Sequence, residues 1–155
     1  MALEIERRFL IKNDNWKKFI TKKIFIEQGY LSKSLDDWII RIRRTGKDYK
    51  IALKKHIESF TSFEFEYLIP RSDGEKIMSN LSNTIKKERF FLEVEKKSWI
   101  IDCFKEKNYP LEIAEIELSR EDEDLLLPSF ISKEITGLTS YSNFSLANKP
   151  FSEWK

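Results

Sequence analysis

Alternation of charged and apolar side chains begins almost at the first residue. In the stretch Leu3-Glu-Ile-Glu-Arg-Arg-Phe-Leu10, Glu4, Glu6 and Arg8 share one face of an extended strand. Ile5 and Phe9 share the other, with Arg7 between them. The same period returns along the chain and predicts strands over residues 3–10, 24–32, 37–44, 49–55, 59–69, 85–95, 98–105 and 111–118. Thr45-Gly46-Lys47-Asp48 and Lys96-Lys97 read as tight turns, and Pro70 ends the fifth strand. Helical segments punctuate this pattern. Asn13 or Asp14 caps a short helix over Trp16 to Ile20. Ser72-Asp-Gly-Glu75 forms a capping box that opens a helix over 73–82, burying Ile77, Met78 and Leu81. Ser119 caps an acidic helical turn ending before Pro128, and residues 140–148 form a last short helix. The expected class is mainly β with accessory helices (α+β), its eight antiparallel strands closed into a barrel that leaves no exposed edge.

The charges on these strands are sorted by sign. Acidic pairs stand on strands one (Glu4, Glu6), five (Glu64, Glu66) and eight (Glu115, Glu117). Basic pairs stand on strands three (Arg41, Arg43), four (Lys50, Lys54) and six (Lys87, Arg89), and strand seven carries Asp102. Alternation alone does not say which face points inward. An ordinary barrel buries its apolar face and leaves the charges in water. Against that stand the matched sign of each pair and the helices, which need an outer apolar surface to pack on. A charged interior is costly unless its charges are compensated or wet. Paired carboxylates holding a hard divalent cation, beside Arg and Lys holding phosphate oxygens, supply that compensation. This is the division of labour of phosphoryl or nucleotidyl transfer.

Composition narrows the field. The 155 residues suit one domain, with 41% hydrophobic and 14% aromatic side chains. Lys and Arg total 28 against 26 Asp and Glu, so the net charge of +2 leaves no general nucleic-acid footprint. Charged residues nonetheless reach 35%, in both signs. Cys103 is the single cysteine, which points to a reducing, cytoplasmic compartment and a core role. No apolar stretch has membrane length. With four glycines there is no phosphate-cradling loop, so bound phosphate must be held by side chains. His56, the only histidine, has no accompanying nucleophile motif and reads as a surface residue.

Taken together, these stretches resemble the CYTH domain, or triphosphate tunnel metalloenzyme, family. Glu4-Ile-Glu6-Arg7-Arg8 resembles its ExExK signature. Further marks follow in order: Gln28-Gly-Tyr-Leu31, Arg41-x-Arg43, Ala52-Leu-Lys54, Glu64-x-Glu66, Lys87-x-Arg89, Asp102 within Trp99 to Phe104, Ala114-Glu-Ile-Glu-Leu118, Lys133-Glu-Ile-Thr136, and a C-terminal helix from Tyr141 to Ala147. The match covers nearly the whole chain and is of the short bacterial type.

The resemblance implies an eight-stranded tunnel with charges inside, acting on triphosphates with Mg²⁺ or Mn²⁺. It places Glu4, Glu6, Asp102, Glu115 and Glu117 as metal ligands, with Glu64 and Glu66 supporting a second metal or water. Arg8, Arg41, Arg43, Lys54, Lys87 and Arg89 hold the triphosphate, and Glu134 matches an acidic position without an assigned role. The expected reaction is attack of an activated water on a terminal phosphorus. Glu4, Glu6 or Glu117 orients that water through the metal, and Tyr30 beside Lys87 serves as proton donor or leaving-group stabiliser. Tripolyphosphate is the first expected substrate, with thiamine triphosphate or ATP as others. A class IV adenylate cyclase and a weakly active or non-catalytic polyphosphate-binding module are the competing readings. Neither a nucleic acid nor a membrane is an expected partner, and a homodimer is an open assembly. Four positions depart from the family pattern: Arg8 replaces lysine, and Ser62, Ile100 and Ser142 stand where charged residues are common.

Overall fold

The computed structural model describes residues 2–154. Among them are nine strands: β1 (Leu3–Ile11), β2 (Ile20–Tyr30), β3 (Ile39–Thr45), β4 (Asp48–Glu58), β5 (Thr61–Ile69), β6 (Thr84–Val94), β7 (Lys97–Phe104), β8 (Glu112–Glu117) and β9 (Ile131–Glu134). Two α-helices, α1 (Arg71–Ser79) and α2 (Asn143–Asn148), follow β5 and β9. The strands run in the spatial order β5-β4-β3-β2-β6-β7-β8-β1, every neighbouring pair antiparallel, and β1 returns to β5 to close the wall. One edge of β1 is given to β8, through Glu6–Leu10. The other is shared: Leu3–Ile5 pair with β5, and Phe9 and Ile11 with β9. The closed eight-stranded barrel is as expected, and β9 is an addition to it that continues pairing where β5 has left β1.

The wall is inverted relative to an ordinary barrel. Phe9, Trp99, Ile101, Ala114 and Ile116 point outward and are buried under Trp16 of the 3-10 turn Asn15–Phe19 and under Phe130 and Ile131. Phe9 and Trp99 lie 5.8 Å apart, and Trp16 meets Phe90 edge-on at 5.1 Å. Each large apolar side chain buried there contributes roughly 1.5–3 kcal/mol, so the drive to cover the wall acts from outside. On β3 and β4, Ile42 and Tyr49 are covered by Met78 of α1. The helix lies so close that a Cβ at Gly74 would stand 2.2 Å from Tyr49 Cγ. At one end the interior itself turns apolar, and Ile85, Phe104 and Ile113 pack on Leu146 of α2. This helix therefore stops that end of the barrel. No helix among the described residues is long and apolar enough to cross a membrane.

Several local expectations change. β2 begins at Ile20, because its first residues pair with Leu92 to Phe90 of β6. The β6–β7 turn is Glu95-Lys96, both at positive φ, while Lys97 already pairs with Val94. Ser72 does not cap α1: the helix begins two residues earlier, at Arg71 after Pro70, with no side-chain cap. No helix follows Ser119. Glu123 Oε1 accepts both the backbone N–H and the hydroxyl of Ser119, at 2.8 and 2.7 Å, and folds the acidic segment into turns. The final helix is shorter, with Thr139–Tyr141 a separate 3-10 turn.

Candidate active site in the barrel interior

Strand register fixes which charges meet. Glu6 faces Glu117 and Arg8 faces Glu115 across β1 and β8; Lys54 faces Glu64 across β4 and β5; Arg89 faces Asp102 across β6 and β7. All of these point inward. Most of them line a cavity of about 720 Å³, together with Glu4, Arg41, Arg43 and Glu66; Arg8 and Asp102 lie outside its lining. The charges are inside.

One wall is acidic. The Lys54 ammonium donates to Glu4 at 3.0 Å and Glu6 at 3.3 Å. Burial raises the Glu4 carboxyl above its ordinary range, a hydrogen bond with Glu64 adds to this, and Lys54 opposes it. Burial also raises Glu117, with Glu4 and Glu6 adding repulsion. Burial works against the Lys54 charge, but Glu6 and Glu4 outweigh it and hold the ammonium protonated. Glutamates directly opposed across a strand pair repel unless a cation lies between them. Crowded, partly buried carboxylates of this kind are hard oxygen donors suited to a divalent cation. Lys54 serves the neighbouring pair Glu4 and Glu6, and among the described residues no three acidic, His or Cys groups converge on a common point.

Basic groups gather on β3 and β6, and Arg8 adds one on β1 itself. Arg41 reaches Glu66 at 3.0 Å and Glu64 at 3.5 Å, while its buried Nε has no partner. Arg8 donates to Glu115 at 3.3 Å and to the Tyr141 carbonyl at 2.9 Å, and its buried Nη2 is also unpartnered. Unsatisfied buried donors are rare because each is costly, so these two point to an anion as the missing acceptor. Arg43 donates through Nε to Gln28 Oε1 at 2.9 Å. Burial lowers the Arg43 guanidinium to about 10, with Arg41 and Arg89 adding to the effect.

Beneath the cavity lies a closed network. Asp102, fully buried, accepts from Arg89 Nε and Nη2 at 2.8 and 2.9 Å and from Lys87 Nζ at 2.7 Å. Lys87 also donates to Asn143 Oδ1 of α2 at 2.9 Å. Burial works against the Asp102 charge, but Arg89 and Lys87 outweigh it and hold the carboxyl well below its usual range. Burial lowers the Lys87 ammonium, and Asp102 opposes that shift.

The structure thus gathers most of the expected site residues on one cavity and separates the rest. Asp102 has both oxygens committed to cations of the wall. Tyr30 accepts from Gln28 Nε2 at 2.8 Å, whereas Lys87 is bound to Asp102 and Asn143, so the two do not share a hydrogen bond. Burial raises the Tyr30 hydroxyl, against the pull of Arg41 and Arg43. Glu134 lies on the outer side, clamped to Arg7 at 2.7 and 2.9 Å. Of the four departures, Arg8 keeps its charge inside, Ser62 faces Glu4, Ile100 faces Glu115 in the lining, and Ser142 caps α2 through its hydroxyl. Two further polar residues belong to the interior network, Gln28 and Asn143. Gln28 shares the strand face of Tyr30, two residues on, and that spacing was the signal for its place inside.

No protein-family model matches the chain. It is 31% identical to an inorganic triphosphatase of Acetivibrio thermocellus, over 100% of this chain and 99% of the relative. It is 25% identical to an inorganic triphosphatase of Nitrosomonas europaea, over 93% and 96%. Among solved structures, the inorganic triphosphatase NE1496 superposes with a TM-score of 0.69 at 26% identity, covering 95% of each chain. A Hippeastrum protein described as an adenylyl cyclase with dominant triphosphatase activity shares the fold alone, at a TM-score of 0.58 and 15% identity over 77% of this chain and 80% of that one. Full-length identity at this level, with the inverted barrel and its charged interior, shows that the chain belongs to the inorganic triphosphatases of the CYTH, or triphosphate tunnel metalloenzyme, family.

Proposed function

We propose that the chain hydrolyses inorganic tripolyphosphate in the barrel cavity with the help of Mg²⁺ or Mn²⁺, as a cytoplasmic enzyme. The observation that carries this reading is the meeting of acidic and basic groups in one interior. Carboxylates with raised pKa values share the interior with two guanidinium groups, Arg8 and Arg41, each of which keeps one buried N–H without a partner. A polyanion with its cations satisfies both at once. Glu4, Glu6, Glu115 and Glu117 are the residues that would hold the cation, with Glu64 and Glu66 beside them. A divalent cation bound there supplies charge neutralisation and a more acidic water.

The protein's own part is positioning. Arg8, Arg41, Arg43 and Arg89 present their N–H groups to phosphoryl oxygens, and Lys54, beside Glu4 and Glu6, would be free to add a further donor were a cation to neutralise those carboxylates. The observed partners of Asp102, Lys87 and Tyr30 favour supporting roles. Asp102 holds Arg89 as a fixed counter-ion, Lys87 ties the wall to α2, and Tyr30 stays protonated within the Gln28 network. The stopped end of the barrel favours a short linear substrate entering from the other mouth. The test is phosphate release from tripolyphosphate, ATP and thiamine triphosphate, at neutral and alkaline pH, with Mg²⁺ or Mn²⁺. Fast metal-dependent release from tripolyphosphate is the expected result. Cyclic AMP and pyrophosphate from ATP would replace the reading with a cyclase, and tight binding of tripolyphosphate without turnover would replace it with a binding module.

A further inference from the structure

The four arginines that point inward are not equivalent. Arg8 rests on Glu115, Arg41 on Glu64 and Glu66, and Arg89 on Asp102. Arg43 lines the same cavity, yet among the described residues it has no carboxylate partner. What holds it is a neutral amide, Gln28 Oε1, on its Nε at 2.9 Å. Gln28 is itself fully buried and passes its amide nitrogen to the Tyr30 hydroxyl at 2.8 Å. The direction of this chain is forced. An Arg Nε can only donate, so the amide oxygen must face Arg43, its NH₂ must face Tyr30, and the phenol must accept. A neighbour packs closely on the other side of the strand: a Cβ at Gly29, between Gln28 and Tyr30, would lie 2.8 Å from Leu81 Cδ1.

We infer that Gln28 is a positioning residue for anion binding: it fixes the Arg43 guanidinium through a neutral acceptor and leaves the whole of its charge for a phosphoryl group in the cavity. A carboxylate in the same place would orient Arg43 equally well and neutralise it. An aliphatic side chain would leave both Arg43 Nε and the Tyr30 hydroxyl without a partner. The amide alone does the first without the second. The depressed affinity of Arg43 for its proton fits a guanidinium kept without a counter-ion, awaiting one. The inference rests on the triphosphate reading above, because it takes the anion to be tripolyphosphate.

The experiment compares wild type, Gln28→Glu and Gln28→Met. The measurements are the dissociation constant for tripolyphosphate in EDTA, steady-state KM and kcat with Mg²⁺, and the melting temperature. Gln28→Glu is expected to raise the dissociation constant and KM about ten-fold (~1.4 kcal/mol), with kcat changed far less and thermal stability kept or raised. Gln28→Met keeps the charge but loses one neutral hydrogen bond, and is expected to raise KM about three-fold. A purely structural role would move melting temperature and not KM. Binding by Gln28→Glu within about two-fold of wild type overturns the inference, as does a Gln28→Met variant that is as impaired as Gln28→Glu. If Gln28→Glu does not fold, an unchanged KM in Gln28→Met overturns it alone. Wild-type protein that neither binds nor hydrolyses tripolyphosphate brings down the functional reading itself, a result distinct from any difference among the variants.

Discussion

Two charge clusters of the barrel are built from the same kind of sequence and behave differently. At the mouth side, Lys54 bridges Glu4 and Glu6 with side chains 30%, 15% and 25% exposed. At the floor, Lys87 and Asp102 are 0% exposed and Arg89 closes the pair from above. The first cluster has more carboxylate than cation, and its acids are raised. The second is compensated within itself, and its acid is depressed. The lesson concerns exchange. Charges that remain partly wet and unbalanced can trade an ammonium for a divalent cation. Charges sealed in a fully hydrogen-bonded set, here two cations on one carboxylate, cannot be separated without leaving one buried alone.

The largest expected effect breaks the floor. Asp102→Ala leaves Lys87 and Arg89 buried without their counter-ion and should cost about 3–5 kcal/mol of stability, read by denaturant or thermal unfolding. A loss well below that would show the floor to be as exchangeable as the mouth. Next, Glu6→Gln or Glu117→Gln should remove at least about 100-fold of tripolyphosphate turnover, ~2.7 kcal/mol of transition-state stabilisation, with the fold intact by circular dichroism. Unchanged turnover in both variants would remove the mouth from the chemistry.

A third test sharpens the contrast by pH. Because Glu4 and Glu117 have raised pKa values, the folded chain holds more protons there than the unfolded one and loses stability as pH rises through the carboxylate range. A divalent cation needs those groups ionised. Mn²⁺ at about a hundred times its dissociation constant should therefore raise the melting temperature at pH 8 by roughly 5–10 °C, and the shift should fade as pH drops through that range. A shift that persists at low pH would place the cation elsewhere. The smallest effect belongs to the basic groups: Arg41→Ala should raise KM for tripolyphosphate about ten-fold with little change in kcat, since it removes a charge-assisted contact made before and during reaction. An unaltered KM would mean that the Glu64 and Glu66 pairs keep Arg41 from the substrate.

Much of this was legible from alternation. The sign-sorted pairs on strands one, three, four, five, six and eight named most of the charged residues of the cavity lining, because side chains two apart must share a face. The features that escaped depend on contacts between distant segments. β9 is four residues without its own alternation and exists because β1 has a free edge beyond β5. Ser72 satisfies the local pattern of a cap, but Pro70 sets the helix start. Ser119 meets Glu123 four residues on, which makes a closed turn and not a helix. Asp102 carries the same alternation as Glu115, yet its depth and its two cations give it a different environment.

By itself the sequence determined the strand periods, the sign of each charged face and the set of residues able to grip a polyanion with its metal, since these follow from chain geometry and side-chain chemistry. Only the tertiary structure decided that the charged faces point inward, that α2 stops one end, that Asp102 pairs with Lys87 and Arg89, and that Arg43 rests on the Gln28 amide with no carboxylate partner among the described residues. Those outcomes turn on burial and on which distant partners saturate each group, and neither quantity is local to the chain.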